Sequence, residues 1–195
     1  VGRSLAADAV RGDEKREFGP EILSVEHLWV DMPGETVRDI NFAVKKGEIF
    51  GFGGLAGQGK LGIPNGIMGL FAAGGTVRLH GKDVPLEEPR KALEMGMAFV
   101  SEDRRGVGLL LDESLRWNIA FTAMQIQGKY LKPIIGKLLT IRDEAGMKKL
   151  TDEYIEILDI KCTGSSQKAK ELSGGNQQKI CLAKAFAVQP DLLFV

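Results

Sequence analysis

The sequence predicts an α/β fold, and three observations carry that expectation. Two segments, Ile22 to Trp29 and Arg38 to Val44, alternate apolar and polar residues as half-buried strands do. Two short apolar runs, Met97 to Val100 and Pro190 to Val195, have the character of strands buried on both faces. Runs of helix formers with apolar residues at helical spacing lie between them, among them Pro89 to Met95, Asp143 to Leu158 and Ile180 to Val188. At 195 residues the chain has the size of one ordinary domain and is long enough for a real core.

Taken in order, residues 1–20 are polar and charged with no periodic apolar face and read as a linker, leaving 21–195 as the folded domain. In the second strand Ile40, Phe42 and Val44 face one way and Asp39 and Asn41 the other, and Met32-Pro-Gly34 supplies the turn before it. Glu48 to Phe52 is expected to be a strand end that runs into the glycine-rich stretch Gly53 to Leu61. Lys60 to Phe71 should follow as a helix, because a proline such as Pro64 in a first turn removes no intrahelical hydrogen bond. Thr76 to His80, closed by Gly81, reads as a strand, and Pro89 to Met95 as a helix stopped by Gly96. Ser114 caps a helix carrying Leu115, Ile119, Ala120 and Phe121. Tyr130 to Lys137 is mildly amphipathic and is expected to be a surface loop.

Composition excludes several classes of function. Lysine plus arginine and aspartate plus glutamate balance at 26 each, so no general attraction to nucleic acid or anionic lipid is expected. The two cysteines, Cys162 and Cys181, form no CxxC or Cys/His cluster, which argues against a metal centre or disulfide and fits a reducing compartment. No apolar run approaches the roughly 20 residues needed to span a bilayer, and no signal sequence opens the chain. The solitary His27 and His80 read as solvated or structural.

The stretch Gly53 to Leu61 carries the chemistry. A glycine-rich turn between strand and helix can hold a polyphosphate: Gly54, Gly57 and Gly59 let backbone N–H groups converge on one anion with no Cβ in the way. The positive end of the following helix and the charge of Lys60 add to the attraction. Gly54-Leu55-Ala56-Gly57-Gln58-Gly59-Lys60-Leu61 matches the P-loop spacing with one departure, Leu61 standing where Ser or Thr would ligate Mg²⁺. Far downstream, Leu172-Ser-Gly-Gly-Asn-Gln-Gln-Lys179 opens another helix, with Ser173 as N-cap and hydroxyl donor. Taken alone it is a well-capped helix.

The two motifs in this order, and the wording LSGGNQQK above all, resemble the ABC-transporter ATPases. The resemblance implies a P-loop NTPase fold with a mixed sheet core, an antiparallel β subdomain and a helical subdomain at about 112–172, and it implies ATP and Mg²⁺ as cofactors. It also implies a head-to-tail dimer in which ATP lies between residues 54–61 of one domain and Ser173, Gly174, Gly175, Asn176 and Gln177 of the other. Ser101 to Gly106 resembles the loop that, in the second domain of monosaccharide and nucleoside importer ATPases, replaces the family's Q-loop. Glu102 would there stand in for the glutamine that touches Mg²⁺ and the attacking water, as a catalytic and metal-ligating residue. An aromatic residue near the first turn stacks on adenine in the family. That place falls near Met32, with Trp29 the nearest aromatic, and Trp29 reads equally as core.

Val1-Gly-Arg3 looks like the end of a first ATPase domain in tandem sugar importers. The chain is therefore expected to hold the second domain and to stop before the Walker B aspartate and catalytic glutamate, so that alone it would be inactive. The implied function is ATP binding and hydrolysis that energise import of a simple sugar. A regulatory half-site that holds the dimer with little hydrolysis, and a nucleoside importer, stay open as alternatives. The implied partners are the first ATPase domain of the same polypeptide, transmembrane permease subunits and, indirectly, a periplasmic or extracellular sugar-binding protein, with the chain peripheral at the cytoplasmic face of the membrane.

Overall fold

The structure is a computed structural model and describes residues 17–135 and 139–195. Most of the expected linker, residues 1–16, lies outside the described residues, as does the loop segment 136–138. Gly19 and Pro20 are tied to the sheet, Gly19 N–H donating to Lys46 O at 3.0 Å and Lys46 N–H to Pro20 O at 2.9 Å.

The first layer is an antiparallel sheet of β1 (Glu21–Val30), β2 (Val37–Lys45), β3 (Ala73–Leu79) and β4 (Lys82–Asp83), in spatial order β2-β1-β3-β4. Leu23, Val25, Leu28 and Val30 of β1 and Val77 and Leu79 of β3 are buried, and the alternation of β1 changes phase between Val25 and Leu28, where the ladder register shifts and His27 lies at φ +52°. Against them pack Ile63 and Ile67 of α1 (Gly62–Ile67) and Ala92 of α2 (Pro89–Glu94). The same core takes in Met97 of β5 (Met97–Phe99) and Leu192 of β8 (Leu192–Phe194), which pair in parallel as the two unalternating runs imply.

A second core joins α3 (Leu115–Gln127), α4 (Glu144–Ile157) and α5 (Gly174–Phe186) through Leu115, Ile119, Ile160, Leu172, Ile180 and Ala183, with Leu150 and Tyr154 of α4 at its edge. Between the two cores lie small side chains: Ala98 of β5, Ala123 of α3 and Ala185 of α5 form one buried cluster with Val188. Their size lets strand and helices approach closely.

Three expectations are corrected. Glu48 to Phe52 forms no strand: it is held by Glu48, which accepts the Lys45 N–H at 2.8 Å, and by Phe50 and Phe52, whose rings meet Phe42 at 5.5 and 5.0 Å. Aromatic contacts with β2 replace a backbone ladder there. The helix placed over Lys60 to Phe71 is only α1, because Gly69 turns the chain at φ +74° and the Leu70 N–H donates to Asn65 O at 2.9 Å. The described part of the expected loop, Tyr130 to Ile135, holds a strand: β6 (Leu131–Ile135) pairs antiparallel with β7 (Leu139–Arg142), with Thr140 and Ile141 opposite Pro133 and Lys132. A strand with a proline at its third position, Pro133, is not one that single-sequence patterning favours.

Candidate nucleotide site

The turn between β2 and α1 is shaped by its glycines. Gly57 and Gly59 lie at φ +80° and +84°, in the left-handed region that favours glycine. At Gly59 space adds a second reason, since a Cβ would sit 2.9 Å from the carbonyl oxygen of Thr36. Gly62, the first residue of α1, meets the carbonyl of Glu35 more closely still. The strap 35–37 thus lies directly on the loop.

The loop's polar groups are engaged. Lys60 Nζ donates to Gly54 O at 2.7 Å, and Gln58 Oε1 accepts from the Leu55 N–H at 3.3 Å. Two amides point at one carboxylate: the Gly57 N–H donates to Glu35 Oε1 at 2.8 Å and the Leu61 N–H to Glu35 Oε2 at 3.3 Å. The Gly57 hydrogen bond is the main cause holding the Glu35 carboxyl below its ordinary range; desolvation opposes it, and Leu61, Gly59 and the Lys60 charge assist.

Glu35, Lys60, Leu61 and Glu102 line one cavity of about 590 Å³, together with Phe50, Phe52, Phe99 and the end of β8. The tertiary structure therefore brings Glu102 to the loop from 41 positions away, at the carboxyl end of β5, where ligands gather in open α/β sheets. Asp103 next to it is spent on its own backbone, accepting from the Gly106 N–H at 2.8 Å. Neither Trp29 nor Met32 lines the cavity; Trp29 is half-exposed and lies across Gly74 of β3, so it is not core.

The second predicted cluster lies elsewhere. Ser173 has the backbone of an N-cap, but its hydroxyl accepts from Asn176 Nδ2 at 3.0 Å and bonds no backbone N–H of α5. Asn176 Oδ1 accepts from the Lys161 N–H at 3.0 Å. Gln177 is turned inward, 2 % exposed, with Nε2 donating to Ala169 O at 3.1 Å. Ser173 and Gly175 are exposed. None of these residues lines the cavity that holds Lys60 and Glu102.

As a seat for Mg²⁺ the residues fit in part. Leu61 offers no oxygen, and no group of three metal-binding side chains occurs among the described residues. Glu102 offers one carboxylate on the cavity wall, and Mg²⁺ in nucleotide sites commonly takes one or two carboxylates with the phosphates completing its shell.

Sequence reasoning missed Glu35. It stands 22 residues before Gly57 and belongs to no motif, so only the fold shows the contact.

The family model described as ABC transporter matches residues 37–195. The chain is 37% identical over 199 residues to the ribose import ATP-binding protein RbsA 2 of Rhizobium etli, covering 100% of this chain and 37% of that protein. It is 34% identical over 200 residues to the xylose import ATP-binding protein XylG of Geobacillus kaustophilus, covering 100% and 38%. To the D-allose import ATP-binding protein AlsA of Escherichia coli it is 37% identical over 158 residues, covering 80% and 30%. The chain thus spans about a third of the length of these relatives. Among solved structures, a nucleotide-free ATP-binding cassette from an ABC transporter aligns with TM-score 0.66 at 22% identity, covering 89% of this chain and 67% of that one. A dimeric cassette bound to ADP and Pi aligns with TM-score 0.67 at 20% identity, covering 88% and 72%. At these identities the structures speak to fold alone.

Proposed function

The chain belongs to the ABC transporter family, and we propose that it is an ATP-binding domain whose parent protein hydrolyses ATP to energise import of a simple sugar. The observation that carries this reading is the pair of loop amides, from Gly57 and Leu61, converging on a single anion beside Lys60. A carboxylate is the anion held in the free chain; a phosphate has the same charge sign and the same appetite for backbone N–H donors. The relatives' names, for ribose, xylose and D-allose import, support a sugar as the cargo.

In the proposed site the amides of the 54–61 turn and Lys60 bind and orient the β and γ phosphates. Glu102 faces the same cavity and would be the residue that holds Mg²⁺, which when bound would supply charge neutralisation for phosphoryl transfer. Ser173, Gly174 and Gly175, remote from that cavity, act on the nucleotide of the facing ATPase domain. Because the chain spans about a third of each relative, we place that facing domain in the same polypeptide, with residues 1–20 as the linker and 21–195 as the second unit. Permease subunits complete the assembly. Among the described residues no helix is long and apolar enough to cross a membrane, which supports a peripheral place on those subunits.

Binding of a fluorescent ATP analogue, with Mg²⁺ and then with EDTA, tests the reading. Saturable binding that Lys60→Ala weakens by at least about tenfold is expected, since one charged contact to phosphate is removed. Equal binding by the Lys60→Ala chain would sink the assignment of the loop. Leu61 favours a second reading, a site that binds nucleotide and holds the dimer while turning over slowly.

A further inference from the structure

We propose that Glu35 sets the affinity of this site: its carboxylate occupies the phosphate amides of the free protein, and a nucleotide's phosphates must displace it. The inference rests on reading the 54–61 loop as a phosphate site and adds to it a residue that neither the P-loop pattern nor the Ser173 motif contains.

The geometry is that of an internal anion. Each oxygen of one carboxylate accepts one loop amide, Gly57 at 2.8 Å and Leu61 at 3.3 Å, which is how a phosphate would be gripped. The loop's cation is likewise engaged, Lys60 Nζ lying 2.7 Å from Gly54 O. Those amides hold the Glu35 carboxyl below its ordinary range, so it is fully charged at neutral pH and competes as an anion. An incoming phosphate must then break two amide contacts to Glu35 and also lie near its negative charge.

Displacement needs little movement. The backbone of 35–36 is clamped where Gly59 and Gly62 leave no room for a Cβ against the Thr36 and Glu35 carbonyls. Release of the carboxylate is therefore a rotation of one half-buried side chain into the cavity it already lines, with the strap kept in place. Such a competitor lowers the apparent affinity of every phosphate ligand by the same factor, set by the fraction of molecules whose loop amides are free. A triphosphate, with several oxygens to offer the loop and Lys60, starts from the stronger grip and so displaces the carboxylate at lower concentration than a nucleoside monophosphate.

The test uses the whole chain with Glu35→Gln, Glu35→Ala and Glu35→Asp, and reads two quantities. The first is the pair of Gly57 and Leu61 backbone amide resonances in the free protein, expected to move upfield in every variant as a charged acceptor is lost or withdrawn. The second is affinity for ATP and inorganic tripolyphosphate, measured without Mg²⁺ and expected to tighten about tenfold in Glu35→Gln and Glu35→Ala, the effect of one charge-assisted hydrogen bond. Glu35→Asp separates contact from bare charge, because it keeps the charge but cannot reach both amides; it too should tighten binding. AMP should gain by about the same factor as ATP, because both must displace the same carboxylate. Unmoved amide resonances, unchanged or weaker ATP binding in Glu35→Gln, or an Asp variant that behaves as the unmodified chain would each overturn the proposal. If instead the unmodified chain binds ATP no better than its Lys60→Ala variant, the phosphate reading of the loop fails, and the Glu35 proposal falls with it.

Discussion

Asp143 shows how much one side chain can be asked to do in this protein. Its Oδ1 accepts from the Gly146 N–H at 3.1 Å, capping α4, and pairs with Lys132 Nζ at 2.8 Å, tying the β6–β7 hairpin to that helix. The Lys132 hydrogen bond is the main cause that lowers its pKa, with the Gly146 amide second. A carboxyl whose folded pKa lies below its unfolded one stabilises the fold above the unfolded value and loses that contribution as pH falls through the folded one. Asp143→Asn should therefore lower the melting temperature at neutral pH, and its difference from the unmodified chain should vanish in acid below the ordinary aspartate range. Thermal unfolding followed by circular dichroism across that range is the measurement. Asn118 serves the fold differently: buried at 2 % exposure, it accepts from the Leu110 N–H at 2.8 Å and donates to Leu110 O at 2.9 Å and Ser114 O at 3.0 Å, bracing the chain that enters α3.

At the scale of elements, α1 is the piece on which the nucleotide loop leans, and it is short and uncapped, with no side chain bonding its N-terminal amides. Packing holds it: Ile63 and Ile67 are buried in the sheet core, and Gly66 lies so close to Val30 of β1 that a Cβ there would strike the valine side chain. Gly66→Ala should destabilise the chain by about 1–3 kcal/mol, the usual cost of overpacking, although alanine is the better helix former. Urea denaturation measures it, and a neutral or stabilising result would show that α1 is free to slide on the sheet. The aromatic group of Phe42, Phe50 and Phe52 plays the corresponding part before the loop, where ring contacts and no backbone ladder position the chain.

Across the whole molecule, the two motifs that mark the family lie apart: Lys60 faces the cavity shared with Glu102, and Ser173 opens a helix of the second core. Under the proposed function one chain therefore supplies half of each of two sites, and the defect at Leu61 falls on one of them alone. In the full-length transporter, Leu61→Ser should raise hydrolysis at the site built on this loop by about tenfold or more, as a metal ligand returns. The partner site should be unaffected. Single-turnover assays with the other loop inactivated would read the two separately, and an unchanged rate would remove the argument for unequal sites.

What the sequence determined by itself is local in origin. Glycine at φ above zero, Ser114 as a cap, Gly96 as a helix stop, and alternation in β2 are all visible in neighbouring residues, because each arises from the backbone's own sterics and hydrogen bonding. The glycine turn and the Ser173 motif were legible for the same reason. The tertiary structure alone decided which groups meet. It set the carboxylate of Glu35 on the amides of Gly57 and Leu61, brought Glu102 to the same cavity, paired β6 with β7, and replaced the strand expected at 48–52 with aromatic packing on Phe42. Those contacts join residues distant along the chain and obey no periodicity, so their energies appear only once the layers have packed and removed the intervening water.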